Sequence, residues 1–209
     1  MKIVFIPQWR NPGVPIILAS DSPRRCEILT TMGISFSTQS PLVDDEASFL
    51  SMNNIEESLR KLAKAKALSV AAAQPDSLVL GADTVVVCDN VLLGKPRDEH
   101  GARAMLKLLS GKAHRVYTGV ALCRKNAHFI ESSVVATTVY FRDIPDEEIS
   151  MYIESGEYGD KAGAYAIQGK AMVFIEKIEG CYYNVVGLPV VQTIALFNAY
   201  TIRKELHNV

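Results

Sequence analysis

The sequence predicts an α/β fold in which helices flank one mixed β-sheet. Apolar runs typical of strands alternate with segments of helical periodicity, and the two kinds are mixed along the whole chain. No internal repeat or low-complexity tract interrupts this pattern. With 209 residues, 48% of them hydrophobic, the chain can bury a substantial core in one domain or two small lobes.

Residues 1–14 are predicted to form an N-terminal extension, and residues 15–209 a single domain. The opening MKIVFIPQWR has a short apolar run broken by Pro, Gln and Arg, which matches neither a signal peptide nor a membrane span. The chain is therefore expected to be cytoplasmic, with no membrane partner. A net charge of -1, without a long block of one sign, argues against binding to a nucleic acid polymer.

Periodicity and turn residues predict the elements in order. The segments are a strand at 16–20, a helix at 22–32, a short strand near 36–40, a helix at 55–73, the strand SLVLGADTVVV with a hairpin turn at Asp89-Asn90, a helix at 98–109, the strands RVYTGVALCR and SVVATTVYFR, a helix from Pro145 to Gly156, and a final amphipathic helix. The glycine-rich stretch EYGDKAGAYAIQGK is predicted to be a loop over a site.

The stretch SDSPRR places two arginines in the first turn of the first predicted helix. Ser22 and Pro23 are a typical helix start, because a serine oxygen can accept an amide hydrogen bond there and proline suits the first helical position. Arg24 and Arg25 then carry positive charge where the helix dipole favours acidic residues. Either the arginines are a solvated pair, or an anion such as phosphate binds at this helix start.

Lys66 and Asp83 are charged residues where the pattern requires apolar ones. Lys66 continues the apolar stripe of the second helix, so its ammonium either extends to solvent along its apolar stem or meets an anion. Asp83 interrupts LVLGADTVVV, where a carboxylate is costly unless a cation meets it. A structural salt bridge or a cap on a turn at Gly81 would explain Asp83, as would a role as metal ligand or general base near a cleft.

Two further segments carry candidate residues for a phosphate site. The acidic cluster at 44–46 is an ordinary solvated turn by itself, but together with Asp83 it can hold magnesium, which takes few protein carboxylates. GKP at 94–96 is not a P-loop, yet Lys95 at a strand end can supply a point charge for a phosphate. The residues thus suggest a triphosphate held by Arg24, Arg25, Lys66 and Lys95, with a metal on Glu46 and Asp83.

Eight segments in order resemble the motifs of the Maf family of nucleoside triphosphate pyrophosphatases, named for a septum-formation phenotype. They are LASDSPRRCEIL, VDDE, LAKAKALSV, GADTVVV, LGKP, HRVYTGVAL, DKAGAYAIQG and NVVGLP, and they cover about residues 15–197. The resemblance implies a Maf/ITPase-like fold, an elongated mixed sheet with flanking helices and two lobes around a central cleft. It also implies hydrolysis of a nucleoside triphosphate between the α and β phosphates with a divalent metal, Mg or Mn.

The same resemblance implies roles for individual residues. Asp83 falls on the proton acceptor and Glu46 on an acidic residue at the metal, so both are expected metal ligands. Lys66 and Lys95 are expected to bind phosphate and to be catalytic. The expected substrate-binding residues are Ser20, Ser22, Arg24, Arg25, Thr84 and Gln168.

Base selection is expected to depend on Arg24, Thr84 and Gln168, which match the subgroup that cleaves dTTP and UTP. A carboxamide carries both a donor and an acceptor, so Gln168 can meet two of the three polar groups on the pairing edge of uracil or thymine. The alternative is that Gln168 only stabilises its own loop. Residues 1–14 have no counterpart in the family, and KAMVFIEKIEG follows IQG where the family is glycine-rich.

The predicted function is a pyrophosphatase that converts dTTP, UTP and modified pyrimidine nucleotides to monophosphate and pyrophosphate. A non-hydrolytic nucleotide-binding regulator of cell division would need the basic residues alone, so Asp83 and Glu46 argue against it. A phosphatase acting on monoesters would release orthophosphate instead. A homodimer is also expected, because related proteins are often dimers and the last predicted helix offers an apolar face.

Overall fold

The computed structural model describes residues 11–207, so residues 1–10 of the predicted extension lie outside the described residues. The strands are β1 (Ile16–Ala19), β2 (Ser37–Thr38), β3 (Leu78–Cys88), β4 (Val91–Leu93), β5 (Ala113–Arg124), β6 (Phe129–Phe141) and β7 (Ile175–Glu179). The helices are α1 (Pro23–Thr31), α2 (Ile55–Ala71), α3 (Glu99–Leu109), α4 (Asp146–Glu154), α5 (Tyr182–Val186) and α6 (Val190–His207). None of these helices has the length and apolar character needed to span a bilayer.

The strands form one mixed seven-stranded sheet, which confirms the predicted α/β class. Its order is β2-β1-β3-β5-β6-β7, and β4 pairs with β3. β1 runs parallel to β2 and β3, whereas the pairs β3–β4 and β6–β7 are antiparallel. The predicted hairpin turn is present, and both Asp89 and Asn90 have positive φ angles. Such angles suit a two-residue turn because they match the twist of the flanking strands.

The short elements β7 and α5 have no counterpart among the predicted ones. β7 is five residues long with no fully buried position, and α5 is a single turn. Segments this short contain too few residues for a strand or helix period to be recognised in the sequence. Most predicted ends of the longer elements are correct to within two residues, as for α2, which ends at Ala71 instead of 73. The exception is β6, which begins at Phe129, four residues before the predicted strand SVVATTVYFR.

The chain divides into two compact units, each with its own core. The first contains the described residues up to Asp83, Gly119–Val134, and those from Gly187 onward; the second contains Thr84–Thr118 and Val135–Val186. In the first unit, Ile17, Val79 and Ala121 of the sheet pack with Ala63 and Ala67 of α2.

Two glycines allow α2 to lie unusually close to the sheet in the first unit. A Cβ atom at Gly81 would be 2.4 Å from the carbonyl oxygen of Ala63, and one at Gly119 would be 2.7 Å from that of Leu59. Real side chains do not approach backbone this closely, so both positions require glycine. The predicted buried stripe of α2, including Lys66, therefore faces the sheet directly.

The core of the second unit contains a buried histidine among aromatic rings. The His114 ring makes edge contacts with Phe141 and Tyr165, at centroid distances of 4.8 and 5.4 Å. Its Nε2 lies 2.8 Å from the Tyr165 hydroxyl. Burial lowers the pKa of His114 from 6.5 to about 4 and raises the pKa of Tyr165, so the pair is neutral at pH 7.

Candidate active site

The start of α1 is organised around Ser20. The buried Ser20 Oγ accepts the backbone N–H of Ser22 at 3.2 Å and Nη1 of Arg25 at 2.9 Å. Ser22 is the N-cap residue, but within residues 11–207 its hydroxyl makes no capping hydrogen bond, so the predicted serine cap is wrong. Ser20 holds the turn instead, and Pro23 at the first helical position has no N–H to leave unpaired.

Arg25 is held in place by a backbone group far away in the chain. Its Nε donates to the carbonyl oxygen of Gly187 at 2.9 Å. Burial lowers the pKa of the Arg25 guanidinium, whereas Asp83 and Glu46 raise it. Because the ordinary pKa of arginine is above 12, the group stays charged. The sequence pattern does not indicate this role of Gly187, because a contact to a backbone carbonyl leaves no signal in the residue type.

Lys66 ion-pairs with both predicted metal ligands. Its Nζ lies 2.7 Å from Oδ1 of Asp83 and 2.8 Å from Oε1 of Glu46. The side chain is only 8% exposed, so the ammonium does not extend to solvent. The anions that Lys66 meets are carboxylates of the protein, and its predicted contact with a phosphate stays a prediction. The salt bridge considered for Asp83 is also present.

The geometry of the sheet and of one short helical turn brings these groups together. Gly81 and Asp83 are two residues apart on β3, so they lie on the same face, the face that α2 covers. Glu46 begins a 3-10 turn, Glu46–Phe49, in which Asp45 accepts the Ser48 N–H at 3.2 Å. Of the acidic cluster, Glu46 is thus the member directed at Lys66.

The two carboxylates provide oxygen donors that converge on one cation. The Lys66 ammonium lies between them and pairs with one oxygen of each, Oδ1 of Asp83 and Oε1 of Glu46. Among the described side chains, there is no group of three or more His, Cys, Asp or Glu that could hold a metal. This donor set fits Mg²⁺ or Mn²⁺ that takes its other ligands from water and phosphate oxygens, and it does not fit a tightly held structural metal.

Of the remaining predicted site residues, Arg24 lies on α1 in the first unit, and the others lie in the second unit. Thr84 follows Asp83 on β3, and its Oγ1 lies 2.9 Å from Oγ1 of Thr118 on β5. Lys95 is exposed just beyond β4. The preceding carbonyl, that of Gly94, accepts the N–H of Gly163 at 3.0 Å. The segment that carries Lys95 is therefore joined to the glycine-rich loop.

Gln168 is exposed in that loop, next to a contact that the sequence did not indicate. Glu157 Oε2 accepts the backbone N–H of Lys170 at 2.8 Å. A Cβ atom at Gly169 would lie 2.5 Å from the same carboxylate oxygen. Glu157 therefore fixes the backbone directly after Gln168, and glycine at 169 makes room for it.

The site places two arginines at a helix start and two carboxylates around one lysine, on a mixed α/β fold. The chain belongs to the Maf family, since residues 15–200 match the family described as Maf-like protein.

Curated relatives cover most of the chain. It is 50% identical over 175 residues to a dTTP/UTP pyrophosphatase of Carboxydothermus hydrogenoformans, covering 84% of this chain and 92% of the relative. It is 45% identical over 183 residues to one of Dictyoglomus thermophilum, covering 88% and 94%. It is 43% identical over 196 residues to one of Syntrophus aciditrophicus, covering 92% and 95%.

Proposed function

We propose that this chain is a nucleoside triphosphate pyrophosphatase that hydrolyses dTTP, UTP and modified pyrimidine nucleotides to monophosphate and pyrophosphate. The observation that carries the proposal is the convergence of Asp83 and Glu46 on one cation, in the unit that also holds Arg25 at a helix start. Such a combination suits phosphoanhydride hydrolysis, which needs charge neutralisation and an oriented water. The names of the curated relatives support the reaction and the substrate class.

Asp83 is proposed as the general base. Its carboxylate orients a water molecule and accepts its proton for in-line attack at the α-phosphorus. Lys66 holds the Asp83 carboxylate in position and is proposed to contact a phosphate oxygen as well. Because Glu46 shares the same ammonium, the three side chains act as one charged cluster.

Basic side chains are proposed to neutralise the pyrophosphate as it leaves. Arg25 is preorganised by Ser20 and Gly187, so little conformational entropy is lost when it binds phosphate. Arg24 lies in the same helix turn. Lys95, in the second unit, is proposed to take part because its segment LGKP matches a motif of the family. Ser20 and Ser22 are proposed to bind substrate at the same helix start.

A divalent ion is part of the proposal. Asp83 and Glu46 would hold Mg²⁺ or Mn²⁺, which would supply charge stabilisation at the phosphate oxygens. In the structure Lys66 pairs with one oxygen of each carboxylate.

The base is proposed to be selected by Arg24, Thr84 and Gln168. A site that hydrogen-bonds the polar edge of a base rejects another base strongly, because its own groups are left unpaired. Gln168 is exposed and carries both a donor and an acceptor. The hydrogen bond from the Lys170 N–H to Glu157 supports this role, since it fixes the loop and does not involve the Gln168 carboxamide.

A nucleotide panel tests the proposal. Purified protein with Mg²⁺ is given dTTP, UTP, CTP, ATP or GTP, and pyrophosphate and orthophosphate are measured separately. We expect pyrophosphate, with dTTP and UTP cleaved at least about tenfold more efficiently than ATP or GTP. Orthophosphate as the first product would indicate a monoester phosphatase. Binding without release of either product would indicate the regulator of cell division.

The cytoplasmic location and the homodimer belong to the same proposal. Nucleoside triphosphates are cytoplasmic substrates, which supports the location. On α6 the side chains of Val191, Ile202 and Leu206 are exposed, which supports an association surface. Light scattering of the purified protein tests the dimer, and a monomer at all concentrations would contradict it.

A further inference from the structure

The segment that carries Glu46 lies on the surface of the first unit, between β2 and α2. None of residues 42–54 is buried, and the side chain of Leu42 is 81% exposed. A segment that buries so little apolar surface gains little stability from packing. Hydrogen bonds to the neighbouring helix therefore contribute most to holding this segment, and Glu46 with it, in place.

Ser69 of α2 holds the first end of this segment. Its Oγ accepts the backbone N–H of Leu42 at 3.1 Å and donates to the carbonyl oxygen of Lys66 at 2.9 Å. A carbonyl only accepts, so the single proton of the hydroxyl points to Lys66 and a lone pair is left for Leu42. Ser69 thus connects the backbone of Lys66 to a residue four positions before Glu46, the side-chain partner of Lys66.

Ser58 of the same helix holds the other end. Its side chain is buried, and its Oγ accepts the backbone N–H of Ser51 at 3.1 Å. Ser58 and Ser69 are three helical turns apart, so they lie on one side of α2, with Lys66 between them along the axis. These turns measure about 16 Å, whereas the chain from Leu42 to Ser51 can extend to about 30 Å. The segment is therefore long enough to move away from Lys66 when an anchor is lost.

We infer that Ser69 is a positioning residue of the proposed active site, whose hydroxyl keeps the Glu46 carboxylate at Lys66 by holding the backbone of Leu42. This inference rests on the proposed function, in which Glu46 helps to hold the divalent ion. Ser69 lies within one turn of Lys66, whereas Ser58 is more than two turns away, so Ser69 has the larger effect on Glu46.

Substitutions at position 69 test the inference through the Mg²⁺ requirement. Ser69→Ala removes the hydroxyl and keeps a good helix former, whereas Ser69→Thr is the matched control, because a threonine hydroxyl can also bond the carbonyl of the preceding turn. We expect Ser69→Ala to raise the Mg²⁺ concentration at half-maximal UTP cleavage by about fivefold, the scale of one hydrogen bond. Ser69→Thr should keep the parent value. A smaller folded fraction would lower the rate without moving this concentration.

A second readout needs neither activity nor metal. In EDTA, Glu46→Gln should lower the melting temperature of the parent by about 2 to 4 °C, because an ion pair with Lys66 is lost. In Ser69→Ala the same substitution should lower the melting temperature by less than half as much, since the pair is already weakened there. In Ser69→Thr it should have the full parent effect.

An unchanged Mg²⁺ requirement in Ser69→Ala would overturn the inference. An equal effect of Glu46→Gln on the melting temperature of the parent and of Ser69→Ala, or of neither, would do so too, as would a Ser69→Thr protein that behaves like Ser69→Ala. Failure of Ser69→Ala to fold, beside a folded Ser69→Thr, would make the hydroxyl purely structural and overturn it as well. Failure of the proposed function is distinguishable, because the parent would then release no pyrophosphate from UTP while the melting temperatures still report on Ser69.

Discussion

The ammonium of Lys66 lies 2.7 Å from the carboxylate of Asp83, and both side chains are largely buried. The proposed general base is thus paired with a lysine proposed to bind phosphate. Breaking a buried pair leaves an uncompensated charge, which costs more than the pair itself contributes. Substitutions in this cluster therefore change stability as well as catalysis, and the two effects must be measured together.

Replacing Asp83 with asparagine should abolish most of the turnover. The amide keeps the size of the carboxylate, and Glu46 remains as a partner of Lys66, so the fold should persist. We expect kcat for UTP to fall by at least about a hundredfold, the scale of a lost general base, with nucleotide binding retained. Asp89→Asn, at the turn after the same strand, is the matched control. Near-parent turnover in Asp83→Asn would remove Asp83 from the mechanism.

Replacing Lys66 with methionine should make the protein depend on a divalent cation for stability. The apolar stem is kept, but the carboxylates of Asp83 and Glu46 lose their shared partner, at a cost of about 3 kcal/mol in unfolding free energy. Added Mg²⁺ should raise the melting temperature of this variant more than that of the parent, since it replaces the lost charge. Lys61→Met, exposed on the same helix, is the control. No difference in the Mg²⁺ effect would count against a metal at these carboxylates.

Alanine at position 81 should destabilise the first unit. The added Cβ would meet the Ala63 carbonyl at 2.4 Å, and backbone cannot move aside as a flexible side chain does. We expect a loss of about 3 kcal/mol in unfolding free energy, measured by denaturant titration. Gly159→Ala, where a Cβ meets nothing within 4 Å, is the control. Equal stability of the two variants would show that α2 can move away from the sheet.

Glu157→Ala should reproduce the effect of Gln168→Ala on base preference. The carboxylate of Glu157 holds the backbone N–H of Lys170, so its loss frees the loop around Gln168. Both variants are expected to reduce the ratio of UTP to ATP cleavage by about tenfold while lowering the best rate less. Glu157→Gln, which keeps an oxygen acceptor, should stay near the parent. If Gln168→Ala lowers activity equally on every nucleotide, the carboxamide only stabilises the loop.

Acid should destabilise the protein through His114. The unfolded chain takes up this proton near pH 6.5, whereas the folded chain does so at about 4. Between these values the unfolded state binds more protons, so unfolding free energy falls as pH falls, by up to about 3 kcal/mol. Denaturant titrations at pH 7 and pH 4.5 measure the loss, which should shrink in His114→Leu. His128→Leu, at an exposed turn, is the control for loss of a histidine outside this core.

Much of the fold could be predicted because it depends on local patterns. Local periods of two and 3.6 residues indicate the buried strand around Asp83 and the apolar stripe of α2. The residue types Asp89-Asn90 indicate the turn. The two short elements β7 and α5 could not be predicted, because hydrogen bonds to residues distant in the chain set their conformation.

The sequence by itself determined the α/β class, the family, and the charged residues that break apolar patterns. Lys66 and Asp83 are recognisable in the sequence because charge is costly at buried positions. Only the tertiary structure decided which groups meet: Lys66 with Asp83 and Glu46, Arg25 with Gly187, and Thr84 with Thr118. The two members of each pair are far apart in the chain. Residue type does not indicate which backbone carbonyl or hydroxyl a side chain will contact. The packed backbone decides these contacts, because it sets the distances between the groups.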